Sequence, residues 1–439
     1  MKYSIVTFGC RVNHADSLRI EEDLRARGGV DAASRDADLV VVNTCSVTAT
    51  ADQGARQTIR RIARENPGAQ IVATGCYATR CEDEVRSLPG VVRVVRNSEK
   101  LDFIRPSDIR LRPGAASECV GEFEGPPPSD RNEDGPCGAP IEPGIAGRTA
   151  FTIRAQTGCE ERCAYCIIPS TRGASRSVPI PALVSEVERV AAAGFKEVAI
   201  VGVHLGSYGR DLTPATSLLE LLRALDGVRA DVTYRISSLE PMDCTRGIVD
   251  LAASSGRFLP HFHLPLQHAS DRMLAAMRRP YSLDCYRRLV DGIKARLPHV
   301  SIGSDIIVGF PGESDDNFAA NLEYLPSSPL THLHVFPYSD RPGTDASAMR
   351  GKVHGAVIRA RALQLRDIGV GLSRRFRESQ AGTIRPGLTL DDGTLVVTDN
   401  YLKVRIPPGR ERNERVFLRI SPDPHEMRGE VISAVELTA

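Results

Sequence analysis

Three short apolar runs near the start of the chain each end in a cysteine: YSIVTFGC at Cys10, DLVVVNTC at Cys45 and AQIVATGC at Cys76. Runs of this length, rich in valine and isoleucine, read as strands buried on both faces. Helical patterns separate them, roughly Ala15 to Arg27 and Ala51 to Glu65, the second stopping at Asn66-Pro67-Gly68. A β-α-β-α-β alternation predicts a parallel sheet with helices on both faces. Ligands of such sheets bind beyond the carboxyl ends of the strands, where all three cysteines fall. A single cysteine there is by default a small buried residue. Three at equivalent topological positions favour a shared three-thiolate site. Cys81, five residues past Cys76, is read as a bystander on the next helix.

A second triad is denser. Cys159, Cys163 and Cys166 lie inside TGCEERCAYCIIPSTRG, spaced C-x-x-x-C-x-x-C. A structural zinc site closes with four Cys or His ligands, and the next candidates, His204 and Cys244, are far along the chain. Zinc and chance clustering are the weaker alternatives. A [4Fe–4S] cluster is normally held by four cysteines; with three, one iron keeps a position for a non-protein ligand. The spacing resembles that of the radical S-adenosylmethionine (AdoMet) enzymes. The resemblance implies that the open iron binds the amino and carboxylate groups of AdoMet. An electron from the cluster then cleaves the sulfonium and yields a 5′-deoxyadenosyl radical. Cys159, Cys163 and Cys166 would be the catalytic cluster ligands.

Composition sets wider bounds. A chain of 439 residues suggests two to four domains. Its 41% hydrophobic and 25% charged content is ordinary for a globular protein. No apolar run approaches ~18 residues, so no membrane span is expected. MKYSIVTFGC reads as a strand and not as a signal peptide. Eleven cysteines without an export signal point to a reducing, cytoplasmic setting, where clusters are commoner than disulfides.

The rest of the chain divides by pattern. Residues 118–147 are dominated by proline, glycine and acidic residues and read as a linker; Cys119 and Cys137 in it are incidental. The expected units are an N-terminal α/β domain over 1–110, a linker over 111–147, a core over 148–378 and a small barrel over 379–439. In the core, strand signals alternate with helices such as Ala182 to Ala193, which suggests a partial parallel (β/α)₆ barrel with its site on the loops at the strand C-termini. Between Arg350 and Arg385 nine Lys/Arg face two Asp/Glu, against +1 for the whole chain. Such a bias favours a phosphate backbone as partner. Much of it, Ala356 to Phe376, reads as helix. From about Gln380 onward, TLDDGTLVVTDNYLKVRI, RVFLRISP and MRGEVISAVEL read as strands of an antiparallel barrel. Alternation places Tyr401, Lys403 and Arg405 on one face as candidate RNA contacts. Cys244 and Cys285 have no motif around them and read as free thiols.

FGCRVNHADS, VVNTCSVTATAD and ATGCYATR resemble the N-terminal domain of the methylthiotransferases. The resemblance implies that Cys10, Cys45 and Cys76 hold an auxiliary [4Fe–4S] cluster that carries or donates sulfur. Along the core, SDIIVGFPGE resembles the segment passing the adenosyl part of AdoMet; Gly309 and Gly312 would let backbone approach it, and Tyr165 would shield the cluster or pack near adenine. HLPLQHASDRMLAAMRRPY resembles another family stretch, which makes His261, His263 and His268 structural or substrate-lining, not metal ligands. TDNYLKV and RGEVI resemble the TRAM module, an RNA-binding barrel.

The family has members acting on isopentenyl-adenosine in tRNA, on threonylcarbamoyl-adenosine in tRNA and on an aspartate of a ribosomal protein. GCRVNHADS, NTCSVTATAD and YRISSLEP look most like the threonylcarbamoyl type. That implies insertion of a methylthio group at carbon 2 of the modified adenosine beside the anticodon, with AdoMet used both as methyl donor and as radical source. Implied partners are the tRNA anticodon loop, a sulfur source and a low-potential electron donor such as flavodoxin or ferredoxin. The rival from another class is a non-catalytic RNA-binding protein with structural zinc.

Overall fold

The computed structural model describes residues 1–100, 142–144, 148–423 and 426–433. The expected linker over 111–147, with Cys119 and Cys137, lies outside these residues apart from 142–144.

The N-terminal sheet contains β1 (Lys2–Thr7), β2 (Val30–Asp31), β3 (Leu39–Thr44), β4 (Gln70–Gly75) and β5 (Val91–Val95). The strands are parallel and ordered β2-β1-β3-β4-β5. Alternation along β3 explains its unbroken apolar run. Val40 and Val42 pack with Ala55, Ile59 and Ile62 of the helix Ala49–Glu65. Leu39 and Val41 pack with Ile20 and Leu24 of the helix Arg11–Ala26. One helix on each face leaves no side of the strand for water. The first helix starts four residues before its expected start. Its opening turn carries Asn13, Asp16 and Ser17, which are buried polar residues that periodicity of apolar residues does not register.

The central unit opens with β6 (Phe151–Arg154), then a short antiparallel pair, β7 (Gln156–Thr157) and β8 (Arg176–Ser177), that closes the base of the cysteine loop. It continues through β9 (Glu197–Val201), β10 (Thr233–Ile236), β11 (His261–His263), β12 (Ser301–Val308) and β13 (His332–Pro337). Two three-stranded parallel sheets, β6-β9-β10 and β11-β12-β13, are joined by a bridge between Tyr234 and Phe258. Six parallel strands therefore follow one another in chain order with helices between them, the expected partial (β/α)₆ barrel. Ile302, Ile306 and Val308 of β12 join helix residues such as Tyr286, Val290 and Phe318 in the outer core. Their alternates, Gly303 and Asp305, face the inside of the barrel.

A long helix, Gly355–Gln380, packs along β13 and leads to the C-terminal unit. Its basic charge is partly used inside the protein. Arg361 is buried and pairs with Glu313 and Asp315, and Arg375 donates to the carbonyls of Pro326 and Ser328. Arg359, Arg366 and Arg377 remain exposed. Five antiparallel strands follow: β14 (Ile384–Leu390), β15 (Leu395–Thr398), β16 (Lys403–Arg405), β17 (Arg415–Ile420) and β18 (Gly429–Val431), ordered β16-β15-β14-β17-β18. A bridge between Arg405 and Arg428 draws the two edges together into a half-barrel around Val396, Val404, Val416 and Leu418.

Candidate functional site

The sheet order makes β1, β3 and β4 neighbours, so the cysteines that follow them converge. Cys10 caps the helix Arg11–Ala26, Cys45 follows β3 directly and Cys76 opens the helix Cys76–Arg80. Gly9, at φ +88°, turns the chain so tightly that a Cβ there would stand 2.4 Å from the Cys45 sulfur. The Cys45 thiol is pushed up to about 11, by burial first and then by the neighbouring Cys10 and Cys76. Cys76 moves the other way. Burial raises it, but Arg172 and Lys100 outweigh burial and hold its thiol below the ordinary range.

The second triad lies in the loop between β7 and β8, closed by Cys159 N–H donating to the Gly173 carbonyl at 3.0 Å. Gly158, at φ +78°, precedes it; a Cβ there would meet the Ala174 carbonyl oxygen at 1.9 Å. Burial pushes Cys166 up to about 12 and raises Cys163. Arg279 donates to the Cys163 sulfur at 3.0 Å and forms an ion pair with Glu240. His204 bonds to Asp243 at 2.9 Å; burial pulls the imidazole down, yet Asp243 and Cys159 lift it to about 10. The loop borders a hollow of about 680 Å³ lined by the three cysteines, Glu160, Arg278 and Asp345. His204 is too far along the chain to belong to the motif, but the loop after β9 brings it to Cys159. Cys244 is buried and Cys285 exposed.

One polar junction links the segment after the second triad to the first triad. The short helix Ile168–Arg172 follows Cys166 and carries Thr171 and Arg172 to the first triad. Asn97 Nδ2 donates to the Thr171 carbonyl at 2.9 Å and contacts the Cys76 sulfur at 3.6 Å. Arg172 bonds Asn13 and reaches Asp16 at 3.3 Å. Asp16 also pairs with Lys100, at 2.9 Å, and with Arg154. On the Cys45 side, Arg341 from the loop after β13 pairs with Asp52 at 2.8 Å and donates to the Ser46 carbonyl at 2.7 Å. Buried ion pairs of this kind are fixed in geometry because each unpaired charge would be costly. Sequence reading missed Asp16, Arg172, Asp52 and Arg341. One signal was present: Asn13, Asp16 and Ser17 occupy the same helix face as Ile20 and Leu24, so polar groups sit where a core stripe belongs.

These thiols fit iron–sulfur clusters on physical grounds. Burial that resists ionisation of Cys45, Cys163 and Cys166 is relieved when a metal binds the thiolates. Beside Cys76, the buried Nε–H of Arg172 has no acceptor among the described residues, which matches an anionic group at the triad. Tyr165 packs edge-on to Phe310, ring centres 6.4 Å apart, in a cluster with Met273 and Met277. Gly309 and Gly312 both have positive φ, +79° and +85°. At Gly309 a Cβ would strike Ile358 at 2.4 Å, so helix packing alone demands a glycine; Gly312 faces open space.

Lys403 and Arg405 are exposed along β16, as alternation requires. Tyr401 does not continue that face. It lies in a turn at φ +71° ahead of the strand and stays exposed while contacting residues of other units. Arg11 Nη2 donates to its hydroxyl at 2.6 Å, and its ring lies 4.4 Å from that of His261.

Residues 2–96 match the model of an uncharacterized protein family, UPF0004, and residues 153–325 that of the radical SAM superfamily. The chain is 34% identical over 406 residues to a threonylcarbamoyladenosine tRNA methylthiotransferase, MtaB, of Aquifex aeolicus, covering 92% of this chain and 96% of the relative. It belongs to the radical AdoMet methylthiotransferases. A methylthiotransferase of ribosomal protein uS12, RimO of a Roseiflexus species, is 33% identical over 90% of this chain and 88% of its own. Among solved structures, the radical AdoMet methyltransferase TsrM of Kitasatospora setae aligns with a TM-score of 0.54 at 16% identity, covering 79% and 75% of the two chains, a likeness of fold. As a methylthiotransferase the chain is an enzyme, a transferase using AdoMet and a [4Fe–4S] cluster. No helix among the described residues is long and apolar enough to cross a membrane.

Proposed function

We propose that this methylthiotransferase inserts a methylthio group at carbon 2 of N6-threonylcarbamoyladenosine beside the anticodon of tRNA. In this reading Cys159, Cys163 and Cys166 hold the [4Fe–4S] cluster that meets AdoMet, and Cys10, Cys45 and Cys76 hold a second one. When bound, the two clusters and AdoMet supply the radical and the sulfur. A carbon–hydrogen bond of adenine has no acid–base route at neutral pH, which is why a radical is needed. The chain's own residues do the rest. Arg172, Thr171 and Asn97 tie the segment after one triad to the surroundings of the other, and Arg279 and His204 donate to sulfur. An anticodon-loop base is unpaired and can be splayed into such a site.

The observation that carries the reading is the junction in which Thr171 and Arg172, just after the second triad, meet Asn97, Asn13 and Asp16 beside the first. In this reading the junction brings the sulfur-carrying cluster and the radical-forming one to the same substrate. The strong match to a relative named for threonylcarbamoyladenosine supports the choice of base. The exposed Lys403, Arg405, Arg359 and Arg366 support RNA as the carrier. Flavodoxin or ferredoxin as electron donor, and a separate sulfur source, complete the proposal.

Mass spectrometry of nucleosides from a deletion strain tests it. The 2-methylthio form of threonylcarbamoyladenosine should disappear and its unthiolated precursor accumulate. An unchanged nucleoside profile with a lost mark on a ribosomal protein would assign the chain to the rival substrate instead. A second expectation concerns the cysteine loop. Gly158→Ala drives a methyl group into the Ala174 carbonyl at a φ that side chains avoid. Anaerobically reconstituted Gly158→Ala enzyme should hold about half the iron of wild type, with the N-terminal cluster retained. Full iron content in that variant would contradict the ligand assignment.

A further inference from the structure

The inner wall of the barrel carries charge that the chemistry of the triads leaves unused. His263 and His334 both bond to Oδ1 of Asp305, at 2.8 and 3.1 Å. The carboxyl of Asp305 is thereby engaged. Beside it, the ring of His261 is buried and its Nδ1 has no partner among the described residues. Arg11 enters this space from the N-terminal unit. Its guanidinium lies 5.6 Å from the centre of the Tyr401 ring and bonds the Tyr401 hydroxyl. Arg148 is near enough to Arg11 that the two guanidiniums repel, and burial together with that repulsion lowers Arg148. Neither Arg11 nor Arg148 has a carboxylate partner among the described residues. The other cation of this wall, Arg235, is already neutralised by Glu197 at 3.0 Å.

Two half-buried guanidiniums without a counter-ion, beside an unpartnered imidazole nitrogen, form a site for an anion. Of the groups that a modified adenosine can carry on N6, an isopentenyl chain is apolar and would leave both cations desolvated and unpaired. A threonylcarbamoyl group ends in a carboxylate. Placement agrees with that choice. Carbon 2 and the N6 substituent flank the same ring nitrogen of adenine. A base presenting carbon 2 to the Cys10 triad therefore carries its N6 chain alongside, and Arg11 is the residue after Cys10.

We infer that Arg11 and Arg148, with His261 and Tyr401 as the adjoining wall, form a carboxylate subsite that reads the threonyl end of the N6 substituent; this rests on the substrate proposed above. Arg11 and Arg148 are then specificity-determining residues, since a neutral substituent gives them nothing to bind.

The test uses full-length reconstituted enzyme and two synthetic anticodon stem-loops, one with threonylcarbamoyladenosine and one with its methyl ester. Wild type should favour the acid by roughly 10-fold or more in kcat/KM, as expected when one partner of a half-buried charge pair is removed. In Arg11→Met and in Arg148→Met the preference should fall to within about 3-fold, and Arg11→Lys should restore part of it. Both RNAs are turned over by one preparation, so any loss of cluster or fold in a variant lowers both rates and cancels in the ratio. Good turnover of the acid with no preference over the ester overturns the subsite and leaves the substrate assignment standing. A preference kept in both variants, whatever the loss of rate, would show that the arginines do not read the substituent and would overturn it as well. Turnover of neither RNA by active wild-type enzyme would refute the substrate assignment and the subsite with it.

Discussion

Cys163→Ala enzyme should cleave no AdoMet above background when reduced, while Cys45→Ala enzyme should still cleave it but insert no sulfur. The two outcomes differ because the triads sit in different units. Cys163 belongs to the loop between β7 and β8, next to Arg279 and the hollow lined by the three cysteines. Losing one of three ligands leaves an iron cluster without its third protein anchor. Cys45 lies at the end of β3 in the N-terminal sheet, beside Gly9 and accepting from the Val47 N–H. Its removal should leave the barrel loop intact. Iron per chain makes the count explicit: roughly eight in wild type and roughly four when either triad is replaced as a whole. Full methylthiolation by Cys45→Ala would sink the auxiliary-cluster assignment. Zinc in place of iron, with no AdoMet cleavage, would sink both.

The second large effect is expected at Asp16. This carboxylate is buried among Lys100, Arg154 and Arg172, and those three residues come from after β5, from β6 and from the helix that follows the cysteine loop. Asp16→Ala leaves three cations crowded in a dry junction, an arrangement that costs about 3–5 kcal/mol when one partner of a buried pair is lost. The unfolding midpoint in urea should drop accordingly. Sulfur insertion should fall further than AdoMet cleavage, because the junction holds one triad against the other. The pH dependence has a definite sign. Burial alone would raise the Asp16 carboxyl, but Lys100, Arg172 and Arg154 reverse this and hold it well below the ordinary range. A group depressed in the folded state contributes stability above its unfolded value of about 4, and that stability is lost as pH falls further. Wild type should therefore lose stability below about pH 4 more steeply than Asp16→Asn. Parallel acid curves for the two proteins would show that Asp16 does not hold the junction.

Much of the site was legible in the chain. The three Cys-ended runs already contained the parallel sheet, because a strand with no polar alternation can only be buried on both faces. The spacing of Cys159, Cys163 and Cys166 needs no fold to bring them together, since one short loop does it. The Asp-Asp-Gly turn and the alternation of β17 likewise announced the terminal half-barrel. Alternation then overreached at Tyr401. A positive φ takes that residue out of the strand and turns it toward Arg11, and no pattern of polar and apolar residues reports a backbone angle.

By itself, the sequence singled out the two cysteine triads and the class of element each cysteine ends. Local rules suffice for that: buried runs, glycines in front of cysteines, close spacing. Only the tertiary structure decided that the helix after the second triad reaches the first, that Asp16 and Asp52 hold arginines at that junction, and that Arg11 meets Tyr401, some 390 residues away in the chain. Those partners are joined by charge and packing across units. Such contacts depend on where whole sheets dock, and a residue's neighbours in the chain say nothing about that.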